Sequence, residues 1–157
     1  MSELRDNPLL GLFGYQLRRA SAFSMEELGR DLAAIELRPV EASILILIGA
    51  NPRTKLVDVG RELGVQRANM TPLITSLETR NLVKREATDG RSQGLLLTNA
   101  GANAHDQALA ILRSHDARLL DKLGSNVAVS VVVAMVEKIW QNRKTIGASP
   151  ERKDMEG

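Results

Sequence analysis

The chain of 157 residues contains no cysteine, which excludes both a disulfide framework and a thiol redox switch. Aromatic residues make up only 3% of the sequence, too few for the successive exposed rings on which single-stranded nucleic acid stacks. The most apolar run, residues 127–135, is far shorter than the roughly 20 residues that cross a bilayer. The N-terminus lacks the basic segment and apolar core of a secretory signal. We therefore expect a cytoplasmic protein with no membrane partner.

Histidine is also scarce, with only His105 and His115 in the chain. Each is followed by an aspartate, but ten residues of one helix would separate the two rings by about 15 Å, too far to share one ion. His115 falls on a predicted apolar stripe, where a hydrogen-bonded core or interface histidine is the preferred interpretation. Ser21, Ser24, Ser43 and Ser76 have no histidine near them in the sequence, which leaves open a histidine that the fold brings close to one of them. We predict no metal, no cofactor and no enzymatic activity.

The sequence of residues 56–79 predicts two short amphipathic helices. The first has apolar residues at Leu56, Val59, Gly60 and Leu63, and the second repeats this spacing at Met70, Leu73, Ile74 and Leu77. Only Gly64-Val65-Gln66 lies between them. This compactness is typical of a helix-turn-helix.

The face of the second helix opposite its apolar stripe carries no acidic side chain, as a helix in a major groove requires. Its residues are Ala68, Thr71, Pro72, Thr75 and Thr79, with Gln66, Arg67 and Asn69 in or beside the first turn. The methyl groups suit thymine, and Arg67 and Asn69 are candidates for polar base contacts. Pro72 leaves two alternatives: the helix kinks there, or its regular part begins with Thr71 as N-cap.

After Leu82 the pattern becomes extended, and Asp89-Gly90 between the runs 82–87 and 93–98 predicts a β-hairpin. The hairpin tip presents Arg91, which suits the negative potential of a minor groove. Residues 53–91 carry a net charge of +3, against +2 for the whole chain. The order of elements predicts a mainly α protein with a small hairpin, a winged helix-turn-helix that binds double-stranded DNA. The alternative is a winged-helix module for protein interaction that never touches DNA.

The flanking segments read as further helices. We predict one long helix from Pro8 to Ile35, in which Ser24 interrupts the spacing of the apolar residues. A second helix is predicted from Pro39 to Gly49, although Ile44–Ile48 alone would favour a buried strand. Thr98 is predicted to cap a long helix that Gly124 closes, and Ser125 to cap a last one whose β-branched run also favours a strand.

One recognition helix contacts too few base pairs to be specific, so a DNA-binding protein of this kind usually works as a twofold dimer. The flanking helices are therefore expected to join the two subunits. We expect a single domain over residues 1–146, with DNA binding within about 37–98. Homodimerisation is assigned to N- and C-terminal helices within about 4–22 and 105–146. Residues 147–157 are predicted to be a disordered tail.

The stretch from Leu63 to Ile74, with Leu77-Glu78 and Asn81–Arg85, resembles the MarR family of bacterial transcription regulators. The likeness continues in Asp89-Gly90-Arg91 and in Leu97–Gly101, which match the wing tip and the Leu-Thr-x-x-Gly that follows it. The resemblance implies a dimeric repressor that binds palindromic promoter DNA and is released by a small aromatic or phenolic effector. It assigns groove reading to Gln66, Arg67, Asn69, Thr71 and Thr75, minor-groove binding to Arg91, and orientation of the wing to Asp89 with Arg85.

Tyr15, Arg19 and Phe23 follow one another at intervals of four on one side of the first predicted helix. They could line a pocket for an aromatic carboxylate, with Arg19 pairing the carboxylate. The alternative is a half-buried packing seam in which Arg19 keeps its charge in water.

Overall fold

A computed structural model describes residues 7–87, 93–124 and 128–141. A short 3-10 helix, Pro8–Gly11, precedes the regular elements. These are α1 (Phe13–Ala33), α2 (Pro39–Ala50), α3 (Leu56–Leu63), α4 (Arg67–Thr79), β1 (Val83–Ala87), β2 (Gln93–Leu97), α5 (Asn99–Leu123) and α6 (Val129–Gln141). No helix of the described residues is both long and apolar enough to cross a membrane.

The N-terminal helix begins later than the sequence suggests. The Asn7 side chain accepts a hydrogen bond from the Leu9 amide and starts the 3-10 turn, and Leu12 is then extended, with φ −92° and ψ 120°. The prediction of one helix from Pro8 is therefore wrong at its start. The prediction of one continuous helix across Ser24 is confirmed, because α1 continues through this residue.

The α2 segment is helical, as its length between Pro39 and Gly49 predicted, and the strand alternative is wrong. Its buried residues are Glu41, Ala42, Ile44, Leu45 and Ile48. They fall within an arc of about 160° at 100° per residue, and Ile46 and Leu47, which lie outside this arc, are partly buried, so apolar residues surround most of the helix. That explains why the run resembles a buried strand.

The turn between α3 and α4 is as short as predicted. Gly64 ends α3 in the left-handed region with φ 65°, and the Val65 amide donates to the Gly60 carbonyl at 2.8 Å. A Cβ at Gly60 would lie 3.0 Å from Cγ of Met70, so glycine allows the two helices to approach closely. Since α4 begins at Arg67, Pro72 is inside it, and the alternative in which its regular part begins at Thr71 is wrong.

The hairpin pairs β1 with β2 antiparallel, from Val83 opposite Leu97 to Ala87 opposite Gln93. Residues 53–54, just before α3, pair with β2: the Arg53 amide donates to the Leu95 carbonyl at 2.9 Å, and the Leu95 amide to the Thr54 carbonyl at 2.8 Å. Gly94 permits this approach, because a Cβ there would lie 2.7 Å from the Arg53 carbonyl oxygen. The base of the hairpin is thus fixed to the chain that enters α3.

The main core belongs to a compact unit that ends at Ala117. Its largest fully buried side chains are Leu32, Ile44, Leu45, Ile48, Met70, Ile74, Leu77 and Leu95. A second unit begins at Arg118 and contains α6, which has no buried residue in the single chain. The last helix is α-helical rather than extended, while residues 147–157 and the predicted cap Ser125 lie outside the described residues.

Candidate nucleic-acid interface

The outward face of α4 is fully open to solvent. Met70, Ile74 and Leu77 are buried on the opposite side. The predicted groove-reading residues Gln66, Arg67, Ala68, Asn69, Thr71 and Thr75 are all exposed. Ala68, Thr71 and Thr75 share the outward face, and Gln66, Arg67 and Asn69 surround the first turn, so α4 can dock into a major groove without rearranging the core.

Two threonines of this face use their hydroxyl protons within the helix. Thr71 donates to the Arg67 carbonyl at 3.3 Å, and Thr79 donates to the Thr75 carbonyl at 2.9 Å. Their hydroxyl oxygens can therefore only accept from a nucleic acid, while their methyl groups remain available for apolar contact.

Ion pairs join the wing to its neighbours. Arg85 of β1 donates to both carboxylate oxygens of Glu78, at 2.8 and 3.2 Å, and Arg53 donates to Glu86 at 2.9 Å. The Arg85 pair places a cation beside the acidic residue nearest the C-terminal end of α4. Residues 88–92, with the predicted Asp89 and Arg91, lie outside the described residues, so the roles of those two residues stay predictions.

A buried carboxylate of α2 interacts with the residue that follows α4. Glu41 of α2 is 2% exposed and accepts hydrogen bonds from the amide and the guanidinium of Arg38, both at 2.9 Å. Arg80, which directly follows α4, lies 3.6 Å from the same carboxylate and donates to the Glu36 carbonyl at 2.6 Å. This Arg38–Glu41–Arg80 cluster ties the end of α4 to the start of α2.

Burial by itself would raise the pKa of Glu41. The hydrogen bonds and charge of Arg38, with the charge of Arg80, outweigh burial and hold that pKa below its usual range. Sequence analysis missed the cluster, although an acidic residue three positions after a helix start is a recognisable capping pattern.

Thr98 and Gly101 fix the start of α5 against the turn that follows α4. The Thr98 hydroxyl donates to the Asn81 carbonyl and accepts from the Gly101 amide at 2.9 Å, which confirms Thr98 as the N-cap. A Cβ at Gly101 would lie 1.8 Å from the Leu82 carbonyl oxygen. The Leu-Thr-x-x-Gly motif thus allows the backbone at the start of α5 to contact the segment that leads into the wing.

The candidate effector residues lie along α1. The guanidinium carbon of Arg19 is 5.9 Å from the centre of the Tyr15 ring, and that of Arg18 is 5.4 Å away. Hydrogen bonds with Asn7 and Arg19 lower the pKa of Tyr15. The structure thus brings Tyr15 and Arg19 together, and Phe23 follows one turn later with 44% of its surface exposed.

The two histidines contact different side chains. His115 is buried at 4% exposure and its Nε2 lies 3.0 Å from the Ser24 hydroxyl, so its assignment as a hydrogen-bonded core or interface histidine is confirmed. His105 contacts Asp106 at 2.8 Å. Among the residues that the structure describes, no group of three or more histidine or acidic side chains could hold a metal ion.

A helix-turn-helix with an accessible second helix free of acidic side chains on its outward face, followed by a braced two-stranded wing, defines a winged-helix DNA-binding protein. The family model described as "MarR family" matches residues 37–92. The HTH-type transcriptional repressor Rv2887 of Mycobacterium tuberculosis is 30% identical over 112 residues, which cover 70% of this chain and 81% of that protein. The chain belongs to the MarR family.

Solved structures of related regulators agree with this assignment. The repressor CouR bound to a 23-mer DNA duplex is 31% identical with a TM-score of 0.80, covering 88% of this chain and 99% of that one. CouR bound to p-coumaroyl-CoA is 27% identical with a TM-score of 0.77 and the same coverage. Rv2887 in complex with salicylic acid is 26% identical with a TM-score of 0.63, covering 86% and 98%. The predicted winged helix-turn-helix and the role in transcription regulation are confirmed.

Proposed function

We propose that the protein is a sequence-specific repressor that binds palindromic promoter DNA as a homodimer and leaves it when a small aromatic effector binds. The observation that carries DNA binding is the exposed face of α4, which combines methyl groups and polar side chains with no acidic group. The DNA complex of CouR supports this role. The relatives are transcriptional repressors, and we propose no enzymatic activity.

Homodimerisation rests on the apolar surface at both ends of the chain. The N-terminal part exposes Leu9, Leu10, Leu12 and Phe13, and α6 exposes Val129, Val131, Val133, Met135, Val136, Ile139 and Trp140. Concentrations of large apolar side chains on a surface mark interaction sites. A twofold dimer would present two copies of α4, and a palindromic site follows from that symmetry.

Replacement of Arg91 with alanine tests the DNA interface at the wing. We expect weaker operator binding and a salt dependence whose slope falls by about one unit for each phosphate that the side chain no longer neutralises. Mobility-shift titrations over a range of salt concentrations measure both effects, on a duplex that the wild-type protein selects from random sequences. Arg30→Ala is the matched control, because Arg30 is exposed on α1 and pairs with Glu26.

Equal loss of affinity in the Arg91 and Arg30 variants would remove the wing from the mechanism. If wild-type protein selected no sequence at all, the alternative of a protein-interaction module would replace the proposed function.

The effector site is proposed at Tyr15, Arg19 and Phe23, where Arg19 would pair the carboxylate of an aromatic acid. The salicylic acid complex of Rv2887 and the p-coumaroyl-CoA complex of CouR support an aromatic acid or its thioester as the class of effector. The packing seam remains the competing interpretation of these three residues. It predicts no ligand at this place.

Arg19→Ala should weaken the binding of salicylate by about tenfold or more, the size expected for loss of a charge-assisted hydrogen bond. Operator affinity without ligand should change little. Calorimetry measures the first effect, and Arg18→Ala is the control, since Arg18 lies near the same ring. Salicylate binding that is equal in wild type and Arg19→Ala would exclude the assigned site.

A further inference from the structure

A proline interrupts the hydrogen-bond ladder of α4 on its outward face. Pro72 lies beyond the first turn of α4, the part of a helix in which proline is tolerated. A residue at this place normally donates its backbone N–H to the carbonyl of the residue four positions earlier, here Ala68. Since proline has no N–H, the Ala68 carbonyl lacks this donor.

The residue that carries this carbonyl lies on the accessible side of the helix. At about 100° per residue, Ala68, Pro72 and Thr75 fall within one narrow sector, on the side away from Met70 and Ile74. Both Ala68 and Pro72 are exposed. The proline ring therefore adds nothing to the buried core that could offset the broken ladder. A proline that removes a helical hydrogen bond without improving the packing of the core is typical of a functional surface.

We propose that Pro72 determines sequence specificity by leaving the Ala68 carbonyl oxygen free to accept a hydrogen bond from a base. The donor is the exocyclic amino group of adenine or cytosine, which both bases present in the major groove. The Ala68 carbonyl adds an acceptor to a sector that otherwise offers mainly methyl groups and the proline ring. This inference rests on the proposed function, because it requires α4 to enter a major groove.

Two variants separate the carbonyl from the proline ring. Pro72→Ala and Pro72→Val both restore the N–H that occupies the Ala68 carbonyl, while valine also keeps apolar bulk at the position. The probe is the duplex that wild-type protein selects from random sequences. In it, each adenine is replaced in turn by purine and each cytosine by 2-pyrimidinone, so that a single amino group is removed.

At one base pair of each half-site, removal of the amino group should weaken wild-type binding about three- to tenfold, the range expected for one hydrogen bond. The same replacement should leave the affinity of both variants unchanged. Replacement of thymine by uracil should affect all three proteins equally. Thermal unfolding should show that neither variant is less stable than wild type, since an intrahelical hydrogen bond is regained.

An equal response of wild type and both variants at every position would overturn the inference. It would also fall if the valine variant kept the wild-type pattern and the alanine variant did not, because the ring would then make the contact. Failure of wild-type protein to select any sequence is a different result: it overturns the proposed function, and this inference with it.

Discussion

Replacement of Gly101 with alanine is expected to lower the free energy of unfolding by about 3 kcal/mol, combining overpacking with loss of a helix cap. The new Cβ would lie 1.8 Å from the Leu82 carbonyl oxygen and 2.8 Å from its carbon. Both are backbone atoms, so a rotamer change cannot relieve the clash. Either α5 or the segment after α4 must move, and the hydrogen bonds of Thr98 would be strained or broken.

Thermal unfolding would measure this loss as a decrease of about 10 °C in Tm. Gly29→Ala is the matched control, because its added Cβ would meet only Cγ of Pro39, at an ordinary 3.9 Å. Alanine within α1 should be neutral or stabilise by about 0.5–1 kcal/mol. If both substitutions left Tm unchanged, the close contact of α5 with Leu82 would not exist in solution.

Replacement of Glu41 with glutamine should cost about 2 kcal/mol at neutral pH, because two hydrogen bonds to a charged acceptor are weakened in a buried place. Arg38 and Arg80 both reach solvent, with 64% and 33% of their side chains exposed. They can therefore rehydrate, and the cost stays below that of a completely buried ion pair.

The pH dependence of this effect has a definite sign. Because the folded pKa of Glu41 is below its ordinary value of 4.5, the carboxylate stabilises the fold fully above that value. The contribution is lost as pH falls through the folded pKa and Glu41 takes up a proton. The stability difference between wild type and Glu41→Gln should thus be constant near neutral pH and shrink in acid.

Urea unfolding between neutral pH and strong acid would measure this difference. Glu26→Gln is the control, since Glu26 is 73% exposed and its pair with Arg30 lies on the surface of α1. Its effect should stay within about 0.5 kcal/mol. A Glu41→Gln difference that did not change with pH would show that shape, and not charge, accounts for the role of Glu41.

Local patterns in the sequence were sufficient to predict most of the elements. The spacing of Leu56, Val59 and Leu63 predicted α3, and Gly64 predicted its end. Both predictions were possible because these residues determine structure within one or two helical turns. The outward face of α4 was also predictable, since exposure of a short helix follows from the position of its apolar stripe.

Contacts between distant segments could not be predicted in the same way. The pairing of Thr54 with Leu95 and the approach of Arg80 to Glu41 depend on how the elements pack, and no periodicity encodes them. The start of α1 was missed for another reason: the Asn7 cap favours a tight 3-10 turn over the α-helix that the apolar spacing favours.

The attachment of β2 to residues 53–54 has a consequence for how this architecture can diversify. Gly94 and Leu95 fix the base of the hairpin to the chain that enters α3, so the hairpin base keeps its position relative to α3 and α4. The number of residues between Ala87 and Gln93 can therefore change without moving α3 and α4, because the paired residues of β1 and β2 lie outside that connection. Insertions and deletions are expected to be tolerated there more readily than within β2, where Gly94 and Leu95 are held against residues 53–54.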